Sequence, residues 1–307
     1  MDRFTPARAG LRAAALVPAL GSRIALRMFF TTQPRMPLRP DEEATDLVAR
    51  RRAITVRGER VVTYTWGAGV DAALLVHGWR GRSAQFAPLV RELVAEGFRV
   101  VAFDAPSHGA STGRRTDIRD WLDAIRQLES LEGPFHLLAG HSFGALAALT
   151  AAREGVSADA VAALSGAGSP AVFIDRFADL ASIPERVRRR FPRDFARRIG
   201  ESTASAARRY DAVAHPLPSH VALLAVHDTG DRQVPLAASE SLVAAHGDRA
   251  RLVRTAGWGH GRILGAGPLL DAVVALARGG LAAVDAARSA EAEAGAGAGA
   301  EISRSTP

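Results

Sequence analysis

Residues 135–153 read FHLLAGHSFGALAALTAAR, a short apolar run followed by an alanine-rich stretch. The run predicts a buried strand, and the stretch from Phe143 to Arg153 predicts a helix that begins directly after it. A G-x-S-x-G pattern, residues 140–144, lies at the junction. A serine on a strained turn from strand to helix needs small residues two positions away on either side, and Gly140 and Gly144 meet that need. Ser142 is therefore predicted to be a nucleophile, with His141 as part of the supporting motif.

Strand and helix signals alternate on both sides of this junction. Four further apolar runs predict strands: AALLVH at 72–77, FRVVAFD at 98–104, AVAALSG at 160–166 and VALLAVHD at 221–228. Helical patterns separate them, and ITVRGERVVTYTW at 54–66 predicts a hairpin that turns at Gly58 and Glu59. Near-continuous apolar strands that alternate with helices predict an α/β fold, with a mostly parallel central sheet flanked by helices on both faces.

The alternation divides the chain into four parts. Residues 51–168 and 216–283 form the predicted α/β core, and residues 1–50 form an N-terminal helical or extended segment. Residues 169–215 interrupt the alternation with a helical, arginine-rich stretch, which predicts a small lid inserted between strands. Residues 284–307 include AGAGAGA and lack apolar anchors, so a disordered tail is expected.

The composition excludes several classes of function. The net charge is +7, but all 39 basic residues are arginine and no groove-reading or base-stacking motif accompanies them, so no nucleic-acid partner is predicted. The absence of cysteine excludes disulfides and a thiolate nucleophile. The arginines of the inserted stretch have two readings, a solvated helix face or contacts with an acidic substrate group, for which Arg189 and Arg190 are the candidates.

The N-terminal segment bears on where the protein resides. The apolar run from Leu11 to Leu20 is too short to span a bilayer and is broken by Arg12, Pro18 and the following Gly21. No clear signal-peptide cleavage site follows it, so cytoplasmic residence is expected. A peripheral membrane contact stays open as an alternative, through a group of basic residues: Arg8, Arg12, Arg23 and Arg27.

Further polar motifs begin where predicted strands end. His77 and Gly78 follow one strand, Asp104 opens a D-x-P-x-H-G motif after the next, Asp231 lies in HDTGDRQVP, and His260 lies in GWGHG. The carboxyl ends of parallel strands meet at one edge of an open α/β sheet, which is where such sheets carry their sites. We therefore expect these motifs to lie together with Ser142.

The order of these motifs along residues 53–282 resembles the α/β-hydrolase superfamily. The resemblance implies Ser142 as nucleophile, His260 as base and Asp231 as the acid that orients the histidine. Asp231 fits the family pattern better than Asp228 because it opens D-x-x-V-P. The resemblance also implies an oxyanion hole formed by the backbone N–H groups of Trp79 and Phe143, with His77 and Gly78 as supporting residues.

The implied activity is that of a serine hydrolase that cleaves a carboxylic ester through an acyl-enzyme, with a small-molecule acyl substrate as partner and without a metal or cofactor. Thioesterase, C–C hydrolase and acyltransferase activities use the same triad and stay open. A non-catalytic hydrolase-like binding protein is the alternative from another class. Haloalkane dehalogenases and epoxide hydrolases of this fold carry an aspartate nucleophile, so Ser142 argues against both. The sequence leaves the oligomeric state and the acyl specificity undetermined.

Overall fold

The computed structural model describes residues 17–304, and the side chains of residues 17–290. Eight strands of this part of the chain form one sheet in the order β1-β2-β4-β3-β5-β6-β7-β8. Their bounds are β1 Arg50–Val56, β2 Glu59–Trp66, β3 Ala72–Val76, β4 Arg99–Phe103, β5 Phe135–His141, β6 Ala158–Leu164, β7 Ala222–Asp228 and β8 Ala250–Thr255. The hairpin β1–β2 is antiparallel and joins β4 at one edge, while β4, β3, β5, β6, β7 and β8 run parallel.

Twelve α-helices accompany the sheet in the described residues. They are α1 Pro18–Phe29, α2 Pro40–Leu47, α3 Ala87–Ala95, α4 Ile118–Glu132, α5 Phe143–Arg153, α6 Pro170–Leu180, α7 Glu185–Arg188, α8 Phe191–Arg198, α9 Thr203–Tyr210, α10 Leu236–His246, α11 Gly259–Arg262 and α12 Gly267–Arg304. The predicted α/β class with a mostly parallel sheet is confirmed.

Two apolar layers hold the sheet, one on each face. Along β3, Leu74 packs in the layer that contains α4 and α5, whereas its neighbour Leu75 packs in the layer that contains α3 and α12. Successive side chains of a strand point to opposite faces, so a strand covered by helices on both sides is apolar throughout. This is why AALLV reads as an unbroken apolar run, and all five of its residues are buried.

Helices α6–α9 are inserted between β6 and β7, and α1 packs against them. The Phe29 ring at the end of α1 lies 5.1 Å from the Phe177 ring and 5.1 Å from the Phe195 ring. We call this group of four short helices the inserted helices. The described part of the N-terminal segment thus contains two helices, α1 and α2, and α1 is joined to the inserted helices by aromatic packing.

The hypothesis of a membrane-facing N-terminus is only partly covered by the structure. Arg8 and Arg12 lie outside the described residues, whereas Arg23 and Arg27 are exposed on α1. Within residues 17–304, none of the helices combines the length and the apolar character needed to cross a bilayer.

The predicted disordered tail from residue 284 is wrong at its start. Helix α12 continues to Arg304, with a kink at Gly279 and Gly280. Val284 is fully buried in the core, and the Asp285 carboxylate accepts two hydrogen bonds from Arg251, at 2.7 and 2.8 Å. The alanine-rich composition of the segment from residue 284 favours a helix. The contacts of Val284 and Asp285 attach the start of this segment to the sheet.

Candidate active site

Ser142 lies on a sharp turn between the central strand β5 and helix α5. Its backbone has φ 54° and ψ −119°, a conformation that non-glycine residues rarely adopt. The Ser142 N–H donates to the carbonyl of Leu164 at 2.9 Å, which fixes the turn to the neighbouring strand β6. The serine is thus held at the N-terminus of a helix, at the carboxyl edge of the sheet, in a strained backbone conformation.

Three glycines make room for this turn. A methyl group at Gly144 would overlap the carbonyl oxygen of Val76 on β3, and one at Gly140 would overlap the backbone of Gly144. A methyl group at Gly78 would lie 3.0 Å from Cβ of Ser142. The steric requirement predicted from G-x-S-x-G is therefore present in the structure, and Gly78 brings the loop after β3 against the serine.

His260 and Asp231 are brought together from two different loops. His260 lies in α11, after β8, and its Nδ1 is 2.7 Å from Oδ2 of Asp231 in the loop after β7. The other carboxylate oxygen of Asp231 accepts from the N–H groups of Gln233 at 2.7 Å and Val234 at 3.1 Å. Because Asp231 engages Nδ1, the second ring nitrogen of His260, Nε2, is left as the basic position.

The environment of Asp231 favours its charged form. Burial alone would raise the pKa of this carboxyl group, but the hydrogen bonds from His227 and His260 and the N–H of Gln233 outweigh burial and hold the pKa well below its usual value. Asp231 is therefore a carboxylate at neutral pH, and it favours a proton on Nδ1 of His260.

His227 is a residue of this site that sequence analysis missed. It is fully buried at the end of β7, where its Nε2 lies 3.0 Å from the carbonyl of Val234 and 3.5 Å from Oδ2 of Asp231. Its Nδ1 is 2.7 Å from Oγ of Ser239 on α10. Both ring nitrogens are thus engaged, and the ring supports the loop that carries Asp231. The signal in the sequence is a polar residue directly after the apolar run ALLAV of β7.

Asp228, the competing carboxylate, contacts a different set of groups. Its Oδ2 accepts from the Thr255 hydroxyl at 2.9 Å and the Trp258 N–H at 3.0 Å, and its Oδ1 accepts from the Gly230 N–H at 2.9 Å. These bonds join the loop after β7 to the loop after β8. Asp228 therefore fixes the two loops that carry Asp231 and His260 and does not bind the histidine side chain.

His141 connects the serine turn to the histidine loop. Its Nε2 lies 2.8 Å from the backbone carbonyl of His260, and the two rings are 4.8 Å apart between centroids. The residue next to Ser142 thus holds the backbone of His260. This contact explains why a histidine is useful at this position of the motif.

The loop after β3 is fixed on its other side by two buried histidines. Nε2 of His77 accepts from the Ala105 N–H at 2.9 Å, and Nε2 of His108 accepts from the Arg80 N–H at 2.9 Å. The Trp79 ring packs edge-on against the Phe143 ring, with centroids 5.3 Å apart. The side chains of Trp79 and Phe143, whose backbone N–H groups are the two predicted oxyanion donors, are therefore in contact.

Buried His108 and His141 predict an acid-dependent loss of stability. The pKa of each ring is lowered from its ordinary value of 6.5 to about 3, mainly by burial. A neighbouring histidine contributes to the lower pKa, His77 beside His108 and His260 beside His141. Between these values the unfolded chain binds a proton that the folded protein does not, so the free energy of unfolding falls as the pH falls. Each group contributes about 1.4 kcal/mol per pH unit well below pH 6.5.

Urea unfolding at pH 7.0, 6.0 and 5.0 measures this slope. In His108→Gln, a carboxamide oxygen can still accept from Arg80, and we expect the slope to fall by up to about 1.4 kcal/mol per pH unit, the share of one histidine. A free energy of unfolding that is constant over this range in the parent protein would contradict the assignment of two neutral, buried rings.

The comparisons with known proteins agree with this architecture. A model of the alpha/beta hydrolase family matches residues 73–292. The monoacylglycerol lipase of Mycolicibacterium smegmatis is 25% identical over 226 residues, which cover 61% of this chain and 81% of the lipase. An esterase from Pyrococcus furiosus superposes with a TM-score of 0.57 at 17% identity, covering 80% of this chain and 96% of the esterase. The thioesterase domain from the curacin biosynthetic pathway gives 0.51 at 18%, covering 75% and 99%.

The parallel sheet, with a strained serine turn after its central strand, defines the class as α/β hydrolases in architecture. The family match spans more than half of the chain. This protein belongs to the alpha/beta hydrolase family.

Proposed function

We propose that this protein is a serine hydrolase that cleaves carboxylic esters through an acyl-enzyme intermediate. The observation that carries the proposal is the contact of 2.7 Å between His260 Nδ1 and Asp231 Oδ2, in the same site as the strained backbone of Ser142. A serine with a base that is itself oriented by a carboxylate is the arrangement that acyl transfer requires.

In the proposed mechanism, Oγ of Ser142 attacks the ester carbonyl while Nε2 of His260 takes the hydroxyl proton. The tetrahedral intermediate collapses, and the leaving alcohol takes that proton from His260 as the acyl–oxygen bond breaks. Water then attacks the acyl-enzyme with His260 again as base, which releases the acid and restores Ser142. Asp231 stabilises the imidazolium in both steps and keeps the proton of the neutral ring on Nδ1.

The backbone N–H groups of Trp79 and Phe143 are proposed to bind the oxyanion of the intermediate. Phe143 is the first residue of α5, so its N–H is among those that have no partner within the helix. The positive end of the helix dipole adds to this stabilisation. Each such donor contributes about 3–4 kcal/mol to the transition state in comparable sites.

An oxygen ester is the substrate class that the named relatives favour. The curated relative is a monoacylglycerol lipase, and one structural neighbour is an esterase. Thioester hydrolysis is the second candidate because another structural neighbour is a thioesterase domain. The same triad serves both reactions, so only the relative rates separate them.

A matched pair of substrates tests the proposal. The pair is an oxygen ester and a thioester of the same acyl group, and we expect a higher kcat/KM for the oxygen ester. Hydrolysis of a p-nitrophenyl ester should be at least about 100-fold faster than in buffer alone. A panel of p-nitrophenyl esters of increasing chain length then measures the size of the acyl pocket. A higher kcat/KM for the thioester would reassign the substrate class, and no turnover of any ester or thioester by the folded protein would favour a binding protein.

A further inference from the structure

An arginine-lined cavity of about 930 Å³ lies between α1 and the loop that precedes α4. Helix α1 and the residues after it form one wall. Among the lining residues, one carboxylate, that of Glu59, faces five guanidinium groups, those of Arg23, Arg27, Arg114, Arg115 and Arg198. We call this space the arginine cavity. Its lining carries a large excess of positive charge.

These five arginines, of which Arg198 is the last residue of α8, differ in their partners from Arg189 and Arg190. Within residues 17–290, no carboxylate lies within 4.0 Å of any of the five, and Glu59 instead accepts from the Thr112 hydroxyl at 2.7 Å. In the inserted helices, Arg189 pairs with Glu185 at 3.5 Å and Arg190 pairs with Asp194 at 2.6 Å. The ion pairs argue against the earlier hypothesis that Arg189 and Arg190 bind the substrate, and they direct attention to the arginine cavity.

The arginine cavity is connected to the candidate nucleophile by an apolar wall. Phe30 lines both the arginine cavity and a small apolar cavity that is also lined by Phe143, the residue after Ser142. The guanidinium group of Arg198 lies 5.3 Å from the centre of the Phe30 ring, and the Phe30 ring lies 6.0 Å from that of Trp79. Phe30 therefore lies between the arginine cavity and the apolar cavity beside Phe143.

The small apolar cavity has an entirely apolar lining, to which the ring of Tyr210 contributes. The hydroxyl of Tyr210 is buried and makes no hydrogen bond in the described part of the chain. The cavity has room for about one water molecule in this conformation, with an accessible volume of about 10 Å³. A bound apolar chain therefore requires the rings of Phe30 and Phe195 to move.

We propose that the arginine cavity binds the anionic group of an amphiphilic ester, a carboxylate or a phosphate, whose apolar part passes Phe30 toward Ser142. The inference rests on the proposed ester hydrolase and names its substrate class. Guanidinium groups bind carboxylate and phosphate oxygens in pairs of parallel hydrogen bonds, and arginines without an acidic partner keep these donors available. The single acidic group in the lining adds little repulsion.

Two p-nitrophenyl esters of one chain length test the charge preference, one with a terminal carboxylate and one with a terminal methyl group. The variant Arg23→Gln/Arg27→Gln is compared with Arg189→Gln/Arg190→Gln, which removes the same charge from ion-paired positions outside the arginine cavity. We expect the first variant to lower kcat/KM for the anionic ester about tenfold, mainly through KM, and to change the uncharged ester less than about twofold. The control should change neither, and added salt should weaken the preference of the parent protein.

A binding measurement separates this proposal from the proposed function. Ser142→Ala is titrated calorimetrically with dodecyl phosphate and with inorganic phosphate, with and without the Arg23→Gln/Arg27→Gln change. Binding of dodecyl phosphate that depends on these arginines supports the cavity even if no ester is cleaved, in which case only the proposed function fails. Equal effects of the variant on both esters, or equal binding of both phosphates, would overturn the amphiphile proposal. The Arg23→Gln/Arg27→Gln variant could instead lose its binding to phosphatidylglycerol vesicles and keep the ester preference of the parent protein. That result would assign these arginines to contact with a membrane surface.

Discussion

Replacing Ser142 with alanine is expected to lower kcat for ester hydrolysis by about 10⁴- to 10⁶-fold, with little change in the folded structure. The alanine lacks the hydroxyl that forms the acyl-enzyme, whereas the backbone N–H groups and the pocket are retained. Steady-state hydrolysis of a p-nitrophenyl ester measures the effect. Circular dichroism and the melting temperature establish that the variant is folded.

Ser165→Ala provides a matched control. Ser165 follows the neighbouring strand β6, also has a positive φ of 46°, and is fully buried. Its hydroxyl makes no hydrogen bond among the described residues, so its removal is expected to change kcat less than about threefold. If Ser142→Ala kept a tenth or more of the parent activity, Ser142 would not be the nucleophile.

Asp231→Asn is expected to lower kcat by about 10³- to 10⁴-fold. An asparagine oxygen can still accept from the N–H groups of Gln233 and Val234, so the loop keeps its shape. The amide, however, cannot stabilise the imidazolium of His260, and it weakens the preference for a proton on Nδ1. The ester assay measures kcat, and the melting temperature is expected to fall as well, because the fold stabilises the charged form of Asp231.

Asp228→Asn should show the opposite balance. Its carboxylate accepts from Gly230, Thr255 and Trp258, so the change is expected to lower the melting temperature while kcat falls less than about tenfold. The ratio of the two losses of kcat identifies the acid that orients His260. A larger loss of kcat in Asp228→Asn than in Asp231→Asn would exchange the two assignments.

The sheet and the position of the site could be predicted because both depend on local patterns. The parallel strands inside the sheet, such as β3, are buried on both faces, so their sequences are apolar runs, and the polar residue after each lies at the carboxyl edge. The edge strand β8, ARLVRT, is only partly buried and is not such a run. The turn at Ser142 likewise depends on neighbouring residues, since Gly144 allows the close contact with Val76 on β3 and Gly140 allows the close contact with Gly144. A preference for Asp231 over Asp228 followed from a family pattern, and the structure brings Asp231 to His260.

Contacts between residues distant in sequence could not be predicted in this way. Nothing local indicates that Phe29 on α1 packs between the inserted helices and Trp79, or that Arg23 and Arg27 on α1 line a cavity with Arg115. Ser107 is an intermediate case. It lies in the D-x-P-x-H-G motif and has a positive φ of 69°, a conformation that favours glycine, whereas its hydrogen bond to Thr32 at 2.6 Å depends on where the N-terminal segment lies.

Labelling with a fluorophosphonate, followed by mass spectrometry of the labelled peptide, tests the central claim most directly. The reagent forms a covalent bond with serines that are activated by a neighbouring base. We predict one label per chain on Ser142 in the parent protein, and no label in Ser142→Ala or in His260→Ala. Folded parent protein that is not labelled, or that is labelled on another serine, would contradict a nucleophile at Ser142 activated by His260.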